Sequence, residues 1–336
     1  MSPVLLFGGR SPEHAVSIAS AASVATALLA RGNEPFLLGI GRDGRLLHFP
    51  LPPDRLGEDW ENHATPVSLC YTGGAPLTLS CEGTSPFSPD IVFSLLHGTY
   101  GEDGHWQGLL SLCGTPFVGC GLLSSALCMH KAKAKALALH YGVPTAPFFV
   151  AENASTETLA EIERTLSYPL FVKPLSGGSS LGVSRVENAA ALRPALRLAL
   201  SFDGHAIVEE EIAGTELSVG VLEKKGQLLL SPVGELRTEH GFFDFHKKYK
   251  THETHLTLPA LLSADEERRV RDTAAFLFRL FDCRGLARVD FLRNKKGTVF
   301  FSEINTIPGF TADSLFPRLF AHIGIDPLSF LLEDEE

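Results

Sequence analysis

The sequence has no apolar run of the roughly 18 to 20 residues that a membrane-spanning helix needs, because polar and charged side chains interrupt every hydrophobic stretch. It also has no long basic block, and its net charge is −10. A nucleic acid or an anionic membrane surface requires clustered positive charge. We therefore expect neither a membrane nor a nucleic-acid partner.

Cysteine is sparse, and its spacing shows no pattern. The chain has no CxxC pair and no regular cysteine framework. The six cysteines are Cys70, Cys81, Cys113, Cys120, Cys128 and Cys283. The segment MSPVLLFGGR lacks a basic n-region, and its apolar run is too short for a signal peptide. The simplest interpretation is a cytoplasmic protein with reduced thiols.

Strand-like and helix-like segments alternate along the first part of the chain. PVLLFGG and DIVFSLLHG are typical of buried strands, and a helix-like segment follows each. This order predicts a parallel sheet with helices on both faces. The pattern changes near residues 119–121 and again near residue 213, while residues 42–89 give few signals. We predict three units, at residues 1–119, 120–211 and 212–336.

Two strands near the end of the chain flank the turn NKKG and carry acidic side chains. Pairing the first and last residues of that turn places Arg288 opposite Glu303 and Asp290 opposite Phe301. Because side chains alternate along a strand, Arg288, Asp290, Glu303 and Asn305 then share one face.

The oxygen atoms on that face suit a magnesium ion, which takes one or two carboxylates and completes its octahedron with phosphate oxygens. We therefore predict that Asp290, Glu303 and Asn305 hold Mg²⁺. The alternative is a surface hairpin with ordinary salt bridges. The apolar flanks oppose it, because buried unpaired carboxylates are costly.

A glycine- and serine-rich turn follows the strand PLFVKP. Lys173 lies at the end of that strand, and Ser179 lies six residues later in LSGGSSLG. Backbone N–H groups of such a turn can cover a triphosphate, while the lysine supplies a charge. No GK[ST] follows, so this is not a Walker A loop; the alternative is a plain hairpin. The helix MHKAKAKA carries Lys131 among lysines that could simply form a solvated face.

The strand AIVEEEIAGTE ends with several carboxylates. Glu209, Glu210 and Glu216 could accept hydrogen bonds from an adenine amino group or from ribose hydroxyls. The alternative is an acidic sheet edge without a ligand.

Polar residues follow two strand ends of the first unit, where open α/β sheets bind ligands. His97 ends the strand IVFSLLHG and Glu102 follows it, although a histidine at a strand end is more often structural. Glu13 follows the first strand and could bind a cationic amine, or merely complement the helix dipole.

Residues 239–255 form a long polar and aromatic stretch between apolar segments. Such a loop is typical of a lid or of a plain surface loop. A lid carrying Lys248 and Tyr249 would close on phosphates and exclude water.

In this order the motifs resemble the ATP-grasp superfamily and, within it, the D-alanine–D-alanine ligases. The resemblance covers nearly the whole chain. It rests on GGRSPEHAVS, LLHGTYGEDG, FVKPLSGGSSLGVS, DFHKKY, GLARVDF and SEINTIPGFTADSL. It implies an α+β, three-domain ATP-grasp fold with an N-terminal parallel-sheet domain, and it suggests a homodimer.

The resemblance also implies roles for site residues. The ATP site would contain Lys131, Lys173, Ser180, Glu209, Ile212, Glu216 and Lys248. Two Mg²⁺ or Mn²⁺ ions would be held by Asp290, Glu303 and Asn305, with Glu303 bridging them. The two D-alanines and the oxyanion would meet Glu13, His97, Glu102, Arg288, Gly309, Ser314 and Leu315. Tyr249, Ser179 and Glu13 match a hydrogen-bonded trio that orders the closed state.

The implied reaction is ATP-dependent condensation of two D-alanines through an acyl phosphate, for peptidoglycan precursors. Ligases that use D-serine or D-lactate as the second substrate are close alternatives, and Tyr249 favours a dipeptide product. A nucleotide-dependent oxidoreductase lacks support, because VLLFGGRSPEH is not a full GxGxxG and the acidic hairpin would stay unexplained. A catalytically silent ATP-binding module would not need Arg288, Glu13 and Tyr249.

Overall fold

The computed structural model describes residues 3–73, 75–83, 85–178, 180–238 and 254–332. These residues form three β-sheets with helices packed against them, which is an α+β arrangement. Within those ranges, no helix combines the length and the apolar character needed to cross a membrane.

The first sheet has seven strands and carries the first substrate-side residues. Its strands are β1 (Pro3–Gly8), β2 (Phe36–Ile40), β3 (Leu46–His48), β4 (Thr65–Cys70), β5 (Thr78–Cys81), β6 (Ile91–Ser94) and β7 (Phe117–Val118). Helices α1 (His14–Leu29) and α2 (His105–Leu112) belong to the same part of the chain. The order β5-β4-β3-β2-β1-β6-β7 is parallel from β2 to β7 and antiparallel from β2 to β5. The predicted parallel sheet is thus confirmed for four strands, and residues 46–81 extend it with antiparallel strands.

The second sheet is smaller and wholly antiparallel. Helices α3 (Leu122–Met129) and α4 (Lys131–His140) precede it. Its elements are β8 (Phe148–Ala151), α5 (Thr156–Thr165), β9 (Leu170–Pro174), β10 (Ser184–Val186), α6 (Ala189–Phe202) and β11 (Ala206–Glu210). The strands lie in the order β10-β9-β11-β8.

The third sheet has six antiparallel strands and carries the acidic hairpin. Its strands are β12 (Gly214–Lys224), β13 (Gln227–Leu230), β14 (Gly234–Thr238), β15 (Thr254–Thr257), β16 (Leu286–Asn294) and β17 (Val299–Asn305). Helices α7 (Ala264–Leu280), α8 (Leu315–Ala321) and α9 (Pro327–Leu332) complete this part. The order is β15-β14-β12-β16-β17, and β13 pairs with β12 in an antiparallel hairpin. Lys225 and Gly226 form its turn, and both have the positive φ that such tight turns require.

Helix α4 lies between the second and third sheets. Ala134 and Ala138 belong to the core cluster of the third sheet. Ala132 packs with Leu175 and Ile207 of the second sheet. Both sheets therefore fix this helix, and side chains on its second-sheet side are held in place.

The register of the β16–β17 hairpin differs from the sequence prediction. Arg288 pairs with Asn305, and Asp290 pairs with Glu303. The predicted pairs, Arg288 with Glu303 and Asp290 with Phe301, are wrong. The turn itself is one residue longer than assumed, and a β-bulge next to Asp290 shifts the register by one more.

The bulge absorbs Ser302, because the pairing of β17 with β16 skips from Phe301 to Glu303. Phe301 and Ile304 are both buried in the core although they lie three residues apart. A regular strand cannot place such a pair on one face, whereas a bulge can. Glu303 and Asn305 therefore point away from the core, which is why a strand so rich in phenylalanine also carries polar side chains.

Candidate functional site

One face of the third sheet carries a group of polar side chains. Ser218 on β12 lies opposite Asp290, which in turn lies opposite Glu303. Residues two apart on a strand share a face, so this face contains Glu216, Ser218, Arg288, Asp290, Glu303 and Asn305. The structure thus brings together the four hairpin residues that the sequence analysis grouped, although by a different register.

Arg288 and Asp290 form a tight buried pair on this face. Arg288 Nη2 donates to Asp290 Oδ2 at 2.7 Å, and Nε lies 2.9 Å from Oδ1. Ser218 Oγ also donates to Asp290 Oδ1, at 2.6 Å. Arg288 is 9% exposed and Asp290 is 2% exposed, so the alternative of a surface salt-bridge hairpin is wrong. Burial disfavours the charge of Arg288, but Asp290 more than offsets this and raises its pKa.

The oxygen ligands on this face supply only part of the coordination that Mg²⁺ requires. Two carboxylates, Asp290 and Glu303, lie directly opposite each other, and the Asn305 side-chain oxygen belongs to the same face. In the described part of the chain no three His, Cys, Asp or Glu side chains group closely enough to hold a metal alone. Mg²⁺ bound through nucleotide phosphates needs only one or two carboxylates. The residues therefore fit a metal that arrives with a nucleotide.

Two lysines face this carboxylate group from the second sheet and from α4. Lys173 Nζ donates to Glu209 Oε2 at 3.0 Å, and Lys131 Nζ donates to the Gly177 carbonyl oxygen. Burial lowers the pKa of Lys131, opposed by Glu303. Burial also works against the charge of Lys173, but Glu209 and Glu303 raise its pKa above the usual value. Both lysines are thus close enough to the carboxylate face to interact with Glu303.

The three consecutive glutamates at the end of β11 have three different environments. Glu209 is 2% exposed and faces the lysines. Glu210 accepts a hydrogen bond from the backbone N–H of Ser167. Glu211 pairs with Arg185 at 2.8 Å. The acidic-edge alternative is therefore wrong for Glu209, whose carboxylate points inward, and its predicted contact with adenine stays a prediction.

The remaining predicted ATP contacts lie around these elements. Ile212 follows β11 and is half-buried, and Glu216 belongs to the polar face of β12. Ser180 is half-buried in the glycine-rich turn and has a positive φ of 56°. Ser179, Lys248 and Tyr249 lie outside the described residues, as does most of the predicted lid at residues 239–255.

Glu13 connects the first unit to the glycine-rich turn. It directly precedes α1 and is 6% exposed. A β-carbon at Gly98 would lie 2.5 Å from Glu13 Oε2, and one at Gly178 would lie 3.1 Å from it. The carboxylate therefore packs against one glycine of the first unit and one of the glycine-rich turn, and a side chain at Gly98 would force it to move.

His97 and Glu102 are both buried beside Glu13. Ser20 Oγ lies 3.3 Å from His97 Nε2. Burial lowers the pKa of His97 to about 4, so the ring is neutral at pH 7 and can orient a ligand without adding charge. Glu102 Oε2 accepts a hydrogen bond from the Gly98 N–H at 2.7 Å. Burial raises the pKa of Glu102 to about 8, helped by the nearby charges of Glu13 and Glu303.

The raised pKa of Glu102 predicts that stability falls with pH. The carboxyl ionises near its usual pKa of 4.5 in the unfolded chain but only near pH 8 in the folded protein. The folded state thus holds one extra proton between these values, and the free energy of unfolding falls as pH rises through that window. We expect Glu102→Gln to reduce this fall, measured as Tm at pH 5 and pH 8. The exposed Glu58→Gln is the control, and identical pH slopes for wild type and Glu102→Gln would contradict the assignment.

Gly309, Ser314 and Leu315 lie together at the start of α8. A β-carbon at Gly309 would lie 2.8 Å from Ser314 Oγ. Ser314 Oγ also accepts from the Thr311 N–H at 3.1 Å, and Leu315 is the first residue of the helix. The predicted second-substrate residues therefore form one compact loop.

Residues of all three predicted units line one small cavity. It is bordered by Glu102, Lys131, Gly178, Glu303 and Asn305, and its volume is about 40 Å³. Small-molecule sites are typically about 300 Å³ or more, so this cavity is smaller than a typical ligand site. A larger cavity of about 610 Å³ lies between residues 114–124 and 282–285. None of the predicted site residues lines the larger cavity.

Sequence reasoning missed two residues of this region. Ser218 donates a hydrogen bond to Asp290, and the signal in the sequence was a hydroxyl in the middle of the strand-like segment TELSVGVLE. Lys135 is 1% exposed and lies 3.4 Å from Glu209. Its signal was its position one helical turn after Lys131, which places both lysines on one side of α4.

Comparisons with known proteins agree with this arrangement. Residues 3–120 match the family described as D-ala D-ala ligase N-terminus, and residues 137–333 match D-ala D-ala ligase C-terminus. A D-alanine–D-alanine ligase of a Mycobacterium species is 41% identical, over 96% of this chain and 92% of its own. A putative D-alanine–D-lactate ligase of Streptomyces coelicolor is 37% identical, over 98% and 94%. The crystal structure of the VanG D-Ala:D-Ser ligase from Enterococcus faecalis has a TM-score of 0.86 at 33% identity, over 98% and 97%.

Proposed function

Because the chain belongs to the D-alanine–D-alanine ligase family, and so is an ATP-dependent ligase with an ATP-grasp fold, we propose that it joins two D-alanines into D-alanyl-D-alanine. The product would serve the synthesis of peptidoglycan precursors. One observation carries this proposal: a single cavity is lined by Glu102 of the first sheet's unit, by Lys131 of α4, and by Glu303 of the acidic hairpin. Residues for which we propose contacts with substrate, with phosphate and with metal therefore line the same cavity.

In the first half of the proposed reaction, the carboxylate of one D-alanine attacks the γ-phosphate of ATP and gives an acyl phosphate and ADP. Lys131 and Lys173 neutralise charge on the transferring group. Asp290, Glu303 and Asn305 would hold two Mg²⁺ or Mn²⁺ ions, which when bound add Lewis-acid stabilisation of the phosphate oxygens. Glu13 would bind the ammonium group of this first D-alanine.

In the second half, the amine of the other D-alanine attacks the acyl phosphate carbon and displaces phosphate. Negative charge develops on the carbonyl oxygen, and Arg288 with the Gly309 backbone N–H would stabilise it. Ser314 and Leu315 would position the second substrate. An acyl phosphate must be kept from water, which is the purpose we propose for residues 239–255 with Lys248 and Tyr249.

The test of this function is phosphate release from Mg·ATP by the purified protein, with and without D-alanine. We expect strong stimulation by D-alanine alone, no stimulation by L-alanine, and D-Ala-D-Ala as the product in mass spectrometry. Omission of Mg²⁺ should abolish the signal. Phosphate release that does not depend on D-alanine would contradict the proposal.

The second candidate function is ligation of D-alanine to a different second substrate. Proteins described as D-alanine–D-lactate and D-Ala:D-Ser ligases are among those similar to this chain. The same assay separates the candidates when D-lactate or D-serine is added with D-alanine. If the mixed product forms in preference to D-Ala-D-Ala, the second substrate is D-lactate or D-serine. The proposed ATP and metal residues stay the same.

We further propose a cytoplasmic homodimer. All six cysteines are free thiols in the structure, as expected for a reducing compartment. Leu112, Leu122 and Leu123 are all more than half exposed, at 70%, 53% and 63%. Such exposed apolar side chains support contact with a second copy, and sedimentation of Leu123→Lys against wild type would test this.

A further inference from the structure

A fully buried lysine lies behind the proposed ATP site and has no role in the reaction as described so far. Lys135 is 1% exposed, and lysine is almost never buried to this extent unless it is paired. Its Nζ lies 3.4 Å from Glu209 Oε1. Neither of these two atoms has a hydrogen-bond partner among the residues that the structure describes. The two charges therefore interact with each other across a short gap.

Glu209 is shared between two lysines. Its other oxygen, Oε2, accepts from Lys173 Nζ at 3.0 Å. Burial raises the pKa of Glu209, but Lys135 and Lys173 together lower it to about 2. The carboxylate is thus ionised at neutral pH and depends on both lysines for compensation.

Lys173 faces two competing demands once a nucleotide binds. Its ammonium must turn toward phosphate oxygens, yet it is also a counter-charge for a buried carboxylate. If Lys173 were the sole counter-charge, binding to phosphate would leave Glu209 insufficiently compensated, which is costly in a buried site. A second cation that cannot leave removes this conflict.

We propose that Lys135 is a positioning residue for ATP: it neutralises Glu209 permanently and so leaves Lys173 available to the phosphates. This inference rests on the proposed use of ATP at this site. Helix α4 suits the role, because Ala134 packs in the core of the third sheet while Ala132 packs against the second. Lys135 is therefore held in place, unlike Lys173, which is 20% exposed in its side chain and can reorient.

The test measures the Kd of Mg·ATP by calorimetry and the KM values of both substrates in Lys135→Met. Methionine keeps the length and apolar stem but removes the charge. We expect Kd and KM for ATP to rise about tenfold to a hundredfold, as for loss of one partner of a buried charge pair, with KM for D-alanine changed less than about twofold. Lys133→Met is the matched control, since Lys133 is exposed on the same helix two residues away.

A second variant separates positioning from simple structural support. Glu209 is itself a predicted ATP contact, so the double variant Lys135→Met/Glu209→Gln is compared with Glu209→Gln alone. Without the buried carboxylate, Lys135→Met should lower ATP affinity by less than about twofold. The comparison in the Glu209→Gln background also serves if Lys135→Met alone does not fold. Equal losses toward both substrates, or the same loss of ATP affinity from Lys135→Met in the wild-type and Glu209→Gln backgrounds, would overturn the inference. If wild type binds Mg·ATP but ligates no D-alanine, the proposed function fails while this test on ATP affinity still stands.

Discussion

Replacement of Arg288 by alanine is expected to lower kcat by about 10²- to 10³-fold, the usual loss when one donor to a developing oxyanion is removed. Arg288 is fixed for such a role, because two of its nitrogens contact Asp290 at 2.7 and 2.9 Å. Its side chain is buried and cannot be replaced by solvent. The measurement is steady-state phosphate release with saturating ATP and D-alanine.

The same variant has a second expected effect, on stability and metal binding. Removal of Arg288 leaves the carboxylate of Asp290 with less compensation in the interior, which should destabilise the protein by about 3 to 5 kcal/mol. A Mg²⁺ ion bound together with a nucleotide would bring positive charge to the same carboxylate, so Mg·ATP should raise the Tm of Arg288→Ala more than that of wild type. Arg288 and the metal would then compete for Asp290.

Two further variants serve as controls for Arg288. Arg288→Lys keeps the charge but loses the planar fork, so it should retain stability better than activity. Arg293→Ala lies on the same strand and breaks a contact with Glu266 at 2.6 Å, away from the polar face. It should leave kcat near the wild-type value. Normal turnover in Arg288→Ala would contradict the role proposed for Arg288 at the oxyanion.

Much of this site could be predicted from sequence, because the succession of strands along the chain and the alternation of side chains along each strand can be recognised in local sequence patterns. His97 and Lys173 were recognised at or near strand ends, where parallel and ATP-binding sheets expose ligand groups. Which side chains of the hairpin share a face was also predicted. Residues 42–89 give few signals in the sequence, because the short antiparallel strands that they contain lie in a polar, proline-containing segment and carry little periodicity.

The register of the hairpin could not be predicted by counting from its turn. One extra residue, Ser302, is accommodated in a bulge, and a bulge depends on packing from both sides of the sheet. The spacing of Phe301 and Ile304 was a usable signal, because a core strand with apolar residues three apart needs a bulge to bury both. This constraint supplies one of the two shifts in register, and the longer turn, in which the Asn294 N–H donates to the Thr298 carbonyl oxygen, supplies the other. Together they place Glu303, rather than Phe301, opposite Asp290.

The burial of Lys135 could not be predicted from the sequence, for a different reason. A lysine-rich helix is usually a solvated face. Lys135 lies one helical turn after Lys131, but this spacing alone does not show that Lys135 is buried while Lys133 is exposed. The difference arises because α4 is held between two sheets, and Glu209, which is 74 positions away in the chain, lies under one side of it. Such long-range pairing of charges cannot be inferred from one sequence.

Glu303→Gln is expected to give the largest loss of activity among single substitutions, about 10³-fold or more in kcat/KM, because metal stabilisation of the transferring phosphate contributes several kcal/mol. Glutamine keeps the shape of the side chain and its place on the bulged strand. It removes only the charge that would bridge two ions, and Asp290 and Asn305 remain beside it.

The measurement that checks this is phosphate release as a function of free Mg²⁺, repeated with Mn²⁺. In Glu303→Gln the metal concentration for half-maximal rate should rise strongly, and the maximal rate should stay low even at saturation. Ser302→Ala is the matched control, since it changes the adjacent bulged residue without altering the charge of the polar face. An unchanged metal dependence in Glu303→Gln would mean that the metal binds elsewhere. In that case Glu303 would act on the neighbouring lysines, whose positive charge it favours, and a selective loss of ATP affinity would be seen instead.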